Sequence, residues 1–170
     1  MPGRFEEVVL PHLDAAYNLA RWLIRSPADA EDVVQEACLR ALRFFDGFRG
    51  GDSRAWLLKI VRNTCYSWMK KNRPSDLSDE FDETVHSDEK PREDAETKLV
   101  SKAESERVRA ALETLPVAFR EILVLREIEE LSYREISDVT GVPMGTVMSS
   151  LSRARQRLRE ELRAFAGKGV

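Results

Sequence analysis

The 170-residue sequence predicts an all-α fold: two small helical domains joined by a flexible acidic linker, the C-terminal one a helix-turn-helix. Three observations lead there. Apolar residues recur at spacings of three and four on both sides of the chain's middle, which is the mark of helices with one buried face. Residues 74–98 break that pattern with ten acids, two prolines and no periodicity. Residues 130–162 read as two helices separated by a turn of a few residues. The expected boundaries are 1–73, 74–98 and 99–170.

The paired helices at the C-terminal end carry the most local information. Ser132 is positioned as an N-cap, with Glu135 completing a capping box and Ile136 and Val139 opening an apolar stripe. Gly141 ends that helix because glycine tolerates left-handed geometry, and Pro143 cannot continue it. The next helix starts near Met144 and buries Val147, Leu151, Ala154 and Leu158. Its other face shows Thr146, Ser149, Ser150, Arg153, Gln156 and Arg157, a set of hydroxyls, an amide and guanidiniums suited to a major groove. A helical hairpin with a solvated arginine face would share much of this pattern. The Gly-x-Pro turn, the small Gly145-Thr146 opening and four arginines within seven residues favour DNA. Small residues let a helix start approach a phosphate, where free N–H groups favour an anion. Arg155, about 200° around the helix from Arg153, should face its own domain or the flanking backbone.

A hydrophobic content of 42% supports folded helical cores, and no apolar run approaches the ~20 residues of a membrane helix. The N-terminus lacks a signal-peptide core, so a cytoplasmic protein without membrane insertion is expected. Cys38 and Cys65 fall inside helical patterns and read as reduced thiols. With His12 and His86 as the two histidines, no metal-ligand spacing can be assembled. No glycine-rich phosphate loop is visible, and no cofactor or catalytic residue is expected. The net charge of −3 is divided unevenly: +3 over residues 1–73, −7 over 74–98 and +1 over 99–170. Total charge is therefore a poor guide to partners, because the acidity belongs to the linker.

Residues 4–25 read as helix, interrupted or bent near Pro11, with Leu13, Ala16, Tyr17, Ala20, Leu23 and Ile24 on one stripe. Ser26-Pro27-Ala28-Asp29 is a helix start with a capping hydroxyl, proline at the first position and an acid at the third. The second helix, to about Phe45, buries Ala30, Val33, Val34, Ala37, Ala41 and Phe45. Its other face shows Asp32, Gln35, Glu36, Leu39, Arg40 and Arg43. Leu39 is either an ordinary exposed leucine or the centre of a docking surface. Residues 46–53 form a glycine-rich loop in which Phe48 either tucks onto the core or stacks on something planar, and Asp52 or Ser53 caps the next helix. That third helix, from about Arg54 to Lys71, buries Leu57, Ile60 or Val61, Cys65 and Trp68. Lys59, Arg62, Asn63, Tyr66 and Lys70 align on its exposed face. Cations with an aromatic and an amide among them suit phosphates and unstacked bases, although a plain solvated face shares the pattern.

As a random coil, the linker would span roughly 25–30 Å root-mean-square. Helix resumes by about Leu99 and runs to Leu115, with Val108, Ala111 and Leu112 apolar. Pro116 then restarts a helix carrying Phe119, Ile122, Leu123, Leu125 and Ile128.

Taken together, D-A-E-D-V-V-Q-E-A-C-L-R-A-L, F-R-G-G-D-S-R-A-W-L-L-K-I-V-R-N-T and the stretch from L-P-V-A-F-R-E-I-L to S-L-S-R-A-R resemble the extracytoplasmic-function (ECF) group of bacterial sigma factors. The match covers nearly the whole chain, in order and at the expected spacing. The resemblance implies a protein that binds core RNA polymerase and directs it to promoter DNA. Asp32, Gln35, Glu36 and Leu39 match the face, in sigma region 2, that docks on the clamp helices of the largest polymerase subunit. The second large subunit is an implied contact as well. Phe48 and Asn63 match positions that hold a flipped-out base of the minus-ten element. The helix-turn-helix matches region 4, which reads the minus-thirty-five element as duplex, and the linker is implied to thread across the polymerase. An anti-sigma partner is common in the group. Two departures stand out: Met148 and Ser150 replace positions that are often basic, and Gly50-Gly51 replaces a single glycine.

Two other classes compete. A stand-alone helix-turn-helix regulator would explain residues 119–165 but leave the second and third helices without a task, and no dimerisation seam is visible. A hydrolase using Asp29, Glu31, Asp32 and Glu36 on a metal would gather its carboxylates from one helix, whereas divalent sites usually draw on several elements.

Overall fold

A computed structural model of the protein describes residues 2–77 and 102–168, and these are helical with short turns. The N-terminal unit begins with α1 (Pro2–Val9), a 3₁₀ turn over Leu10–His12 and α2 (Leu13–Ile24), so of the interruption or bend expected at Pro11 the structure has the interruption, a tightened turn. The Ser26 hydroxyl accepts from the Asp29 N–H and starts α3 (Pro27–Arg43). The buried positions of α3 are Ala30, Val33, Ala37 and Ala41, mostly small side chains that let it lie close to α2 and α4. Asp52, rather than Ser53, caps α4 (Ser53–Asn72), its carboxylate accepting from the Ala55 N–H at 3.0 Å.

The interior of α4 differs from the single stripe expected. Leu57, Val61 and Cys65 are buried, but so are Leu58, Thr64 and Met69, while Ile60 and Trp68 are half-exposed. The reason is that α4 is covered on two sides, by α2 and α3 on one and by the C-terminal unit on the other. Burial pushes the Cys65 thiol far up, so it stays protonated. Arg73 ends the helix, its N–H bonded to Met69 O, with its guanidinium donating to Ile24 O at 2.8 Å and lying over Trp68. Pro74–Leu77 then form one further helical turn, α5, which the sequence reading had placed in the linker. Leu77 packs against the core and accounts for it. The remainder of the expected linker, from residue 78 to 98, lies outside the described residues.

The C-terminal unit comprises α6 (Lys102–Thr114), α7 (Val117–Leu123), a π-helical turn over Val124–Ile128, α8 (Tyr133–Thr140) and α9 (Met144–Lys168). The continuous helix expected through Ile128 is instead widened by the π turn, which leaves Ile128 exposed and Leu125 buried. Ser132 and Glu135 form the reciprocal capping box at the start of α8, and Gly141 ends it at φ +77°. Val147, Leu151 and Ala154 bury α9 against α6, α7 and α8.

The two units do not stand apart. α4 packs on α8 and α2 packs on α7, so one contiguous apolar cluster runs through both. At the seam lie two charged residues that are almost fully buried, Arg120 and Glu121. The Arg120 guanidinium donates to Trp22 O at 2.6 Å, to Leu23 O at 3.3 Å and to Leu115 O at 2.9 Å. Trp22 and Leu23 lie in the last turn of α2, where carbonyls lack helical partners and the helix dipole favours a cation. Burial and the nearby Arg25 charge bring Arg120 down to about 10, still far above neutrality, so it is charged at the seam.

The left-handed turn at Gly141 is expected to be demanding. Gly141→Ala should cost about 1–2 kcal/mol, since an L side chain is disfavoured at this φ. The loss is read as a lower midpoint of urea unfolding at unchanged slope. An unmoved midpoint would mean that the turn can be rebuilt without a left-handed residue.

Candidate functional site

Three surfaces were expected from the sequence. On α3, Asp32, Gln35, Glu36 and Leu39 are all exposed on one face, because Val33, Ala37 and Ala41 fix the opposite face inward. Glu36 pairs with Arg40 one turn on at 3.3 Å, and Arg40 also donates to Thr64 Oγ1. Leu39 is 58% exposed, and Leu42 and Phe44, three and five residues on, are exposed to a similar degree. The sequence reading did not single out Leu42 and Phe44. L-R-A-L-R-F-F carries more apolar side chains than one helix face can bury, and that excess was the available signal. A leucine flanked by exposed acids on its N-terminal side and by Arg40 and Arg43 on the other is suited to a partner helix.

The second surface is the glycine-rich loop with α4. Phe48 is half-buried, its ring stacked on Phe45 at 6.1 Å and tilted against Trp56 at 5.0 Å, with Phe5 meeting Phe45 edge-on. Lys59, Asn63 and Lys70 are exposed along α4 as expected. Arg62 and Tyr66 are not. Their side chains turn under the C-terminal unit, where Arg62 Nε donates to Glu121 Oε2 at 2.8 Å and Tyr66 Oη donates to Glu121 Oε1 at 3.0 Å. The Arg62 guanidinium also lies over the Tyr66 ring, 3.8 Å from its centre. Burial pushes the Glu121 carboxyl up, while Arg62 and Tyr66 pull it back. The Tyr66 phenol is pushed far up by burial and by that carboxylate, so it remains a donor. A single-sequence helical wheel treats α4 as having one covered side, and so assigns these two residues to solvent.

Further along the seam, Arg54 donates to Glu129 O at 3.2 Å and to Glu135 Oε2 at 3.3 Å. Glu135 is brought down to about 2, chiefly by its hydrogen bond with Asp52, while Asp52 is raised by the same contact. Next to this contact is an open groove of about 500 Å³, lined by Asp52, Trp56 and Lys59 on one side and Ser137, Asp138 and Val142 on the other.

The third surface is α9. Thr146, Met148, Ser149 and Arg157 are exposed, and Ser150 and Arg153 are half-buried at the edge of the same face. Ser149 Oγ donates to Thr146 O at 3.1 Å, and Arg157 pairs with Glu161 one turn on. Arg155 turns away and donates to Glu127 Oε1 from both Nε (2.9 Å) and Nη2 (2.7 Å), so it faces its own unit as its angular position predicts. Met144 and Met148 add exposed thioethers at the helix start. Of the acids weighed as metal ligands, Asp29 lies 3.7 Å from Arg73, and no group of three His, Cys, Asp or Glu side chains that could hold a metal is found among the described residues.

Comparison with known proteins places these surfaces in a family. The family model for Sigma-70 region 2 matches residues 8–74, and that for Sigma-70, region 4 matches residues 105–158. The RNA polymerase sigma-E factor of Streptomyces avermitilis is 32% identical over 161 residues, spanning 93% of this chain and 84% of its own length. The ECF RNA polymerase sigma factor SigW of Bacillus subtilis is 30% identical, spanning 94% of this chain and 89% of its own length. The ECF sigma factor SigE of Mycolicibacterium smegmatis is 34% identical over 95% of this chain, which spans 62% of that longer relative. Among solved structures, the sigma factor RpoE of Bartonella quintana, in complex with the anti-sigma factor NepR, superposes with a TM-score of 0.70 at 31% identity, covering 94% of this chain and 97% of that one. CnrH in complex with the cytosolic domain of CnrY gives 0.68 at 26% identity, over 96% and 90% of the respective chains. With both sigma regions in order along one chain, and relatives at this identity matched over most of their own length, the protein belongs to the ECF group of RNA polymerase sigma factors.

Proposed function

We infer that this protein is an alternative sigma factor that binds core RNA polymerase, directs it to particular promoters and assists in opening them. The observation that carries the reading is that two distinct nucleic-acid-suited surfaces and one acid-leucine patch occur together, in the order of ECF sigma factors. Such proteins act as DNA-binding initiation factors rather than as enzymes. The exposed Asp32, Gln35, Glu36 and Leu39 on α3 are the polymerase-docking residues in this reading, with the clamp helices of the largest subunit and the second large subunit as partners. Phe48 with Lys59, Arg62, Asn63, Tyr66 and Lys70 handles single-stranded minus-ten DNA. Thr146, Met148, Ser149, Ser150, Arg153 and Arg157 contact the minus-thirty-five duplex. The domain roles follow: residues 1–73 for polymerase and strand opening, 74–98 as connector, 99–170 for duplex reading. An anti-sigma factor is a further partner, supported by the similar RpoE structure being a complex with the anti-sigma factor NepR. The setting is the cytoplasm, where polymerase and promoters are, and no described helix is long and apolar enough to cross a membrane. Run-off transcription of genomic DNA with purified core polymerase tests the whole reading. Defined start sites should appear that require this protein, and their absence would remove it.

The docking surface is expected to fail on charge reversal. Replacing Asp32 and Glu36 by Arg leaves the buried face of α3 untouched, and opposed like charges across an interface cost on the order of 2–5 kcal/mol. Titration against core polymerase should show a correspondingly weaker complex with unchanged helicity. Unaltered affinity would assign docking to another face.

For strand opening, Phe48→Ala and Asn63→Ala should slow the opening of duplex promoters, since a lost stacking platform costs roughly 1–3 kcal/mol per base. A template already mismatched over the downstream element should lose less. If both variants open duplex templates at the native rate, Phe48 serves the Phe45-Trp56 cluster alone.

On α9, Arg153→Ala should relax selectivity at one or two positions of the upstream element, because an arginine bidentate to guanine supplies about 1–3 kcal/mol of discrimination. Arg157→Ala should instead weaken all sequences alike and lower the salt slope by about one. Binding to single-base variants at two salt concentrations separates the two. Uniform weakening by Arg153→Ala would make it a phosphate contact.

A further inference from the structure

We propose that Glu121 is an internal latch: it holds the two helical units closed by engaging Arg62 and Tyr66 of α4, and so withholds both from single-stranded DNA until it is released. The inference rests on the reading of α4 as the strand-facing helix. The geometry of the contact is the first support. Both Glu121 oxygens are used, one by Arg62 Nε at 2.8 Å and one by Tyr66 Oη at 3.0 Å, and the Glu121 side chain is 4% exposed. The ring face of Tyr66 is occupied by the Arg62 guanidinium. While the contact lasts, Arg62 Nε and Tyr66 Oη are held by Glu121 and one face of the Tyr66 ring is covered, so the aromatic is withheld and the guanidinium keeps only its outer edge, 21% exposed, with Nη1 donating to Asn63 Oδ1 at 3.4 Å.

The second support is the selectivity of the masking. Lys59, Asn63 and Lys70 on the same helix stay exposed, so the closed form still offers cations for a first encounter. A phosphate can then take the place of the carboxylate on Arg62, exchanging one charge-assisted pair for another. Part of the closure is built of polar contacts that water or an anion can replace, alongside the apolar packing of α4 on α8. Besides Glu121, the seam holds Arg54 against Glu135 and Glu129 O, and Arg25 against Glu113 O at 2.6 Å. A buried ion pair adds little net stability over apolar packing, yet removing one partner is strongly unfavourable. Such a contact makes a seam specific while leaving it breakable by a competing anion.

The test needs neither polymerase nor a known promoter. In the full-length protein with Cys38→Ala and Cys65→Ala, spin labels are placed through Glu6→Cys and Glu160→Cys, exposed positions on α1 and α9. The distance distribution should be short and narrow. Glu121→Lys, which sets two cations against each other, should broaden and lengthen it at unchanged helicity by circular dichroism. The swapped pair, Arg62→Glu with Glu121→Lys, should restore the narrow distribution. In parallel, a fluorescein-labelled single-stranded 20-mer of mixed sequence is titrated against Glu121→Lys and against Glu130→Lys, which adds the same charge at an exposed site. Release of a closed state that leaves a tenth or less of the molecules competent should give Glu121→Lys a roughly tenfold tighter or greater affinity than Glu130→Lys. A broad distribution in the parent protein, a narrow one that Glu121→Lys leaves unchanged, a swapped pair that stays open, or equal affinities of the two lysine variants would each overturn the latch. Failure of the transcription assay would bear on the sigma function and leave the distance measurement standing.

Discussion

The arrangement depends on two adjacent charges, Arg120 and Glu121, buried where the helical units meet. A lone buried charge is far too costly to keep, so each fixes what must surround it. Arg120 requires three carbonyls, and finds two of them at the end of α2 and one at Leu115. Glu121 requires two donors, and finds them on α4 one turn apart. Because the partners of both residues lie mainly in the other unit, the seam has one register. Apolar contacts alone, being non-directional, would tolerate several.

That register decides which surfaces the closed molecule presents. The acid-leucine face of α3 points away from the seam, as does the recognition face of α9. The strand-facing side of α4 is divided: its three outer polar residues are exposed and its two inner ones are under the C-terminal unit. On the proposed assignment, the surfaces for polymerase docking and duplex reading are geometrically open in this form, while the surface for unpaired bases is incomplete. Such a division suits an initiation factor, for which early handling of single strands without polymerase serves no purpose.

Most helices were legible from the sequence because their signals are local. Ser26-Pro27, the Ser132–Glu135 capping box and Gly141 each act within a few residues, and the stripes of α2, α3 and α9 record one buried face apiece. The family was legible for a related reason, since long ordered motifs survive translation into a helical wheel. What escaped the sequence was everything set by contact between distant elements. The buried set of α4 came from two covering partners, so Trp68 was placed inside and Leu58 and Met69 were missed. Arg62 and Tyr66 were placed in solvent for the same cause. Arg120-Glu121 itself left a trace, a charged pair inside the apolar run from Val117 to Leu125. Periodicity has no term for a charge that is buried because its partners come from elsewhere.

The energetics of the seam connect its permanence with its use. Apolar packing of α4 on α8 and of α2 on α7 also closes the seam, and opening exposes that surface to water. An arginine, a tyrosine and a glutamate present a different balance. In the closed form they satisfy one another; in an open form each can be satisfied by water or, for the arginine, by phosphate. At Glu121 itself the two states thus differ by an exchange of polar partners. A competing interaction at Arg62, such as the negative charge of a displaced DNA strand, then shifts the population towards the open form by its differential affinity for it. The same residues that complete the strand-facing surface when free are those that close it when bound, which ties the opening of the protein to the presence of its ligand.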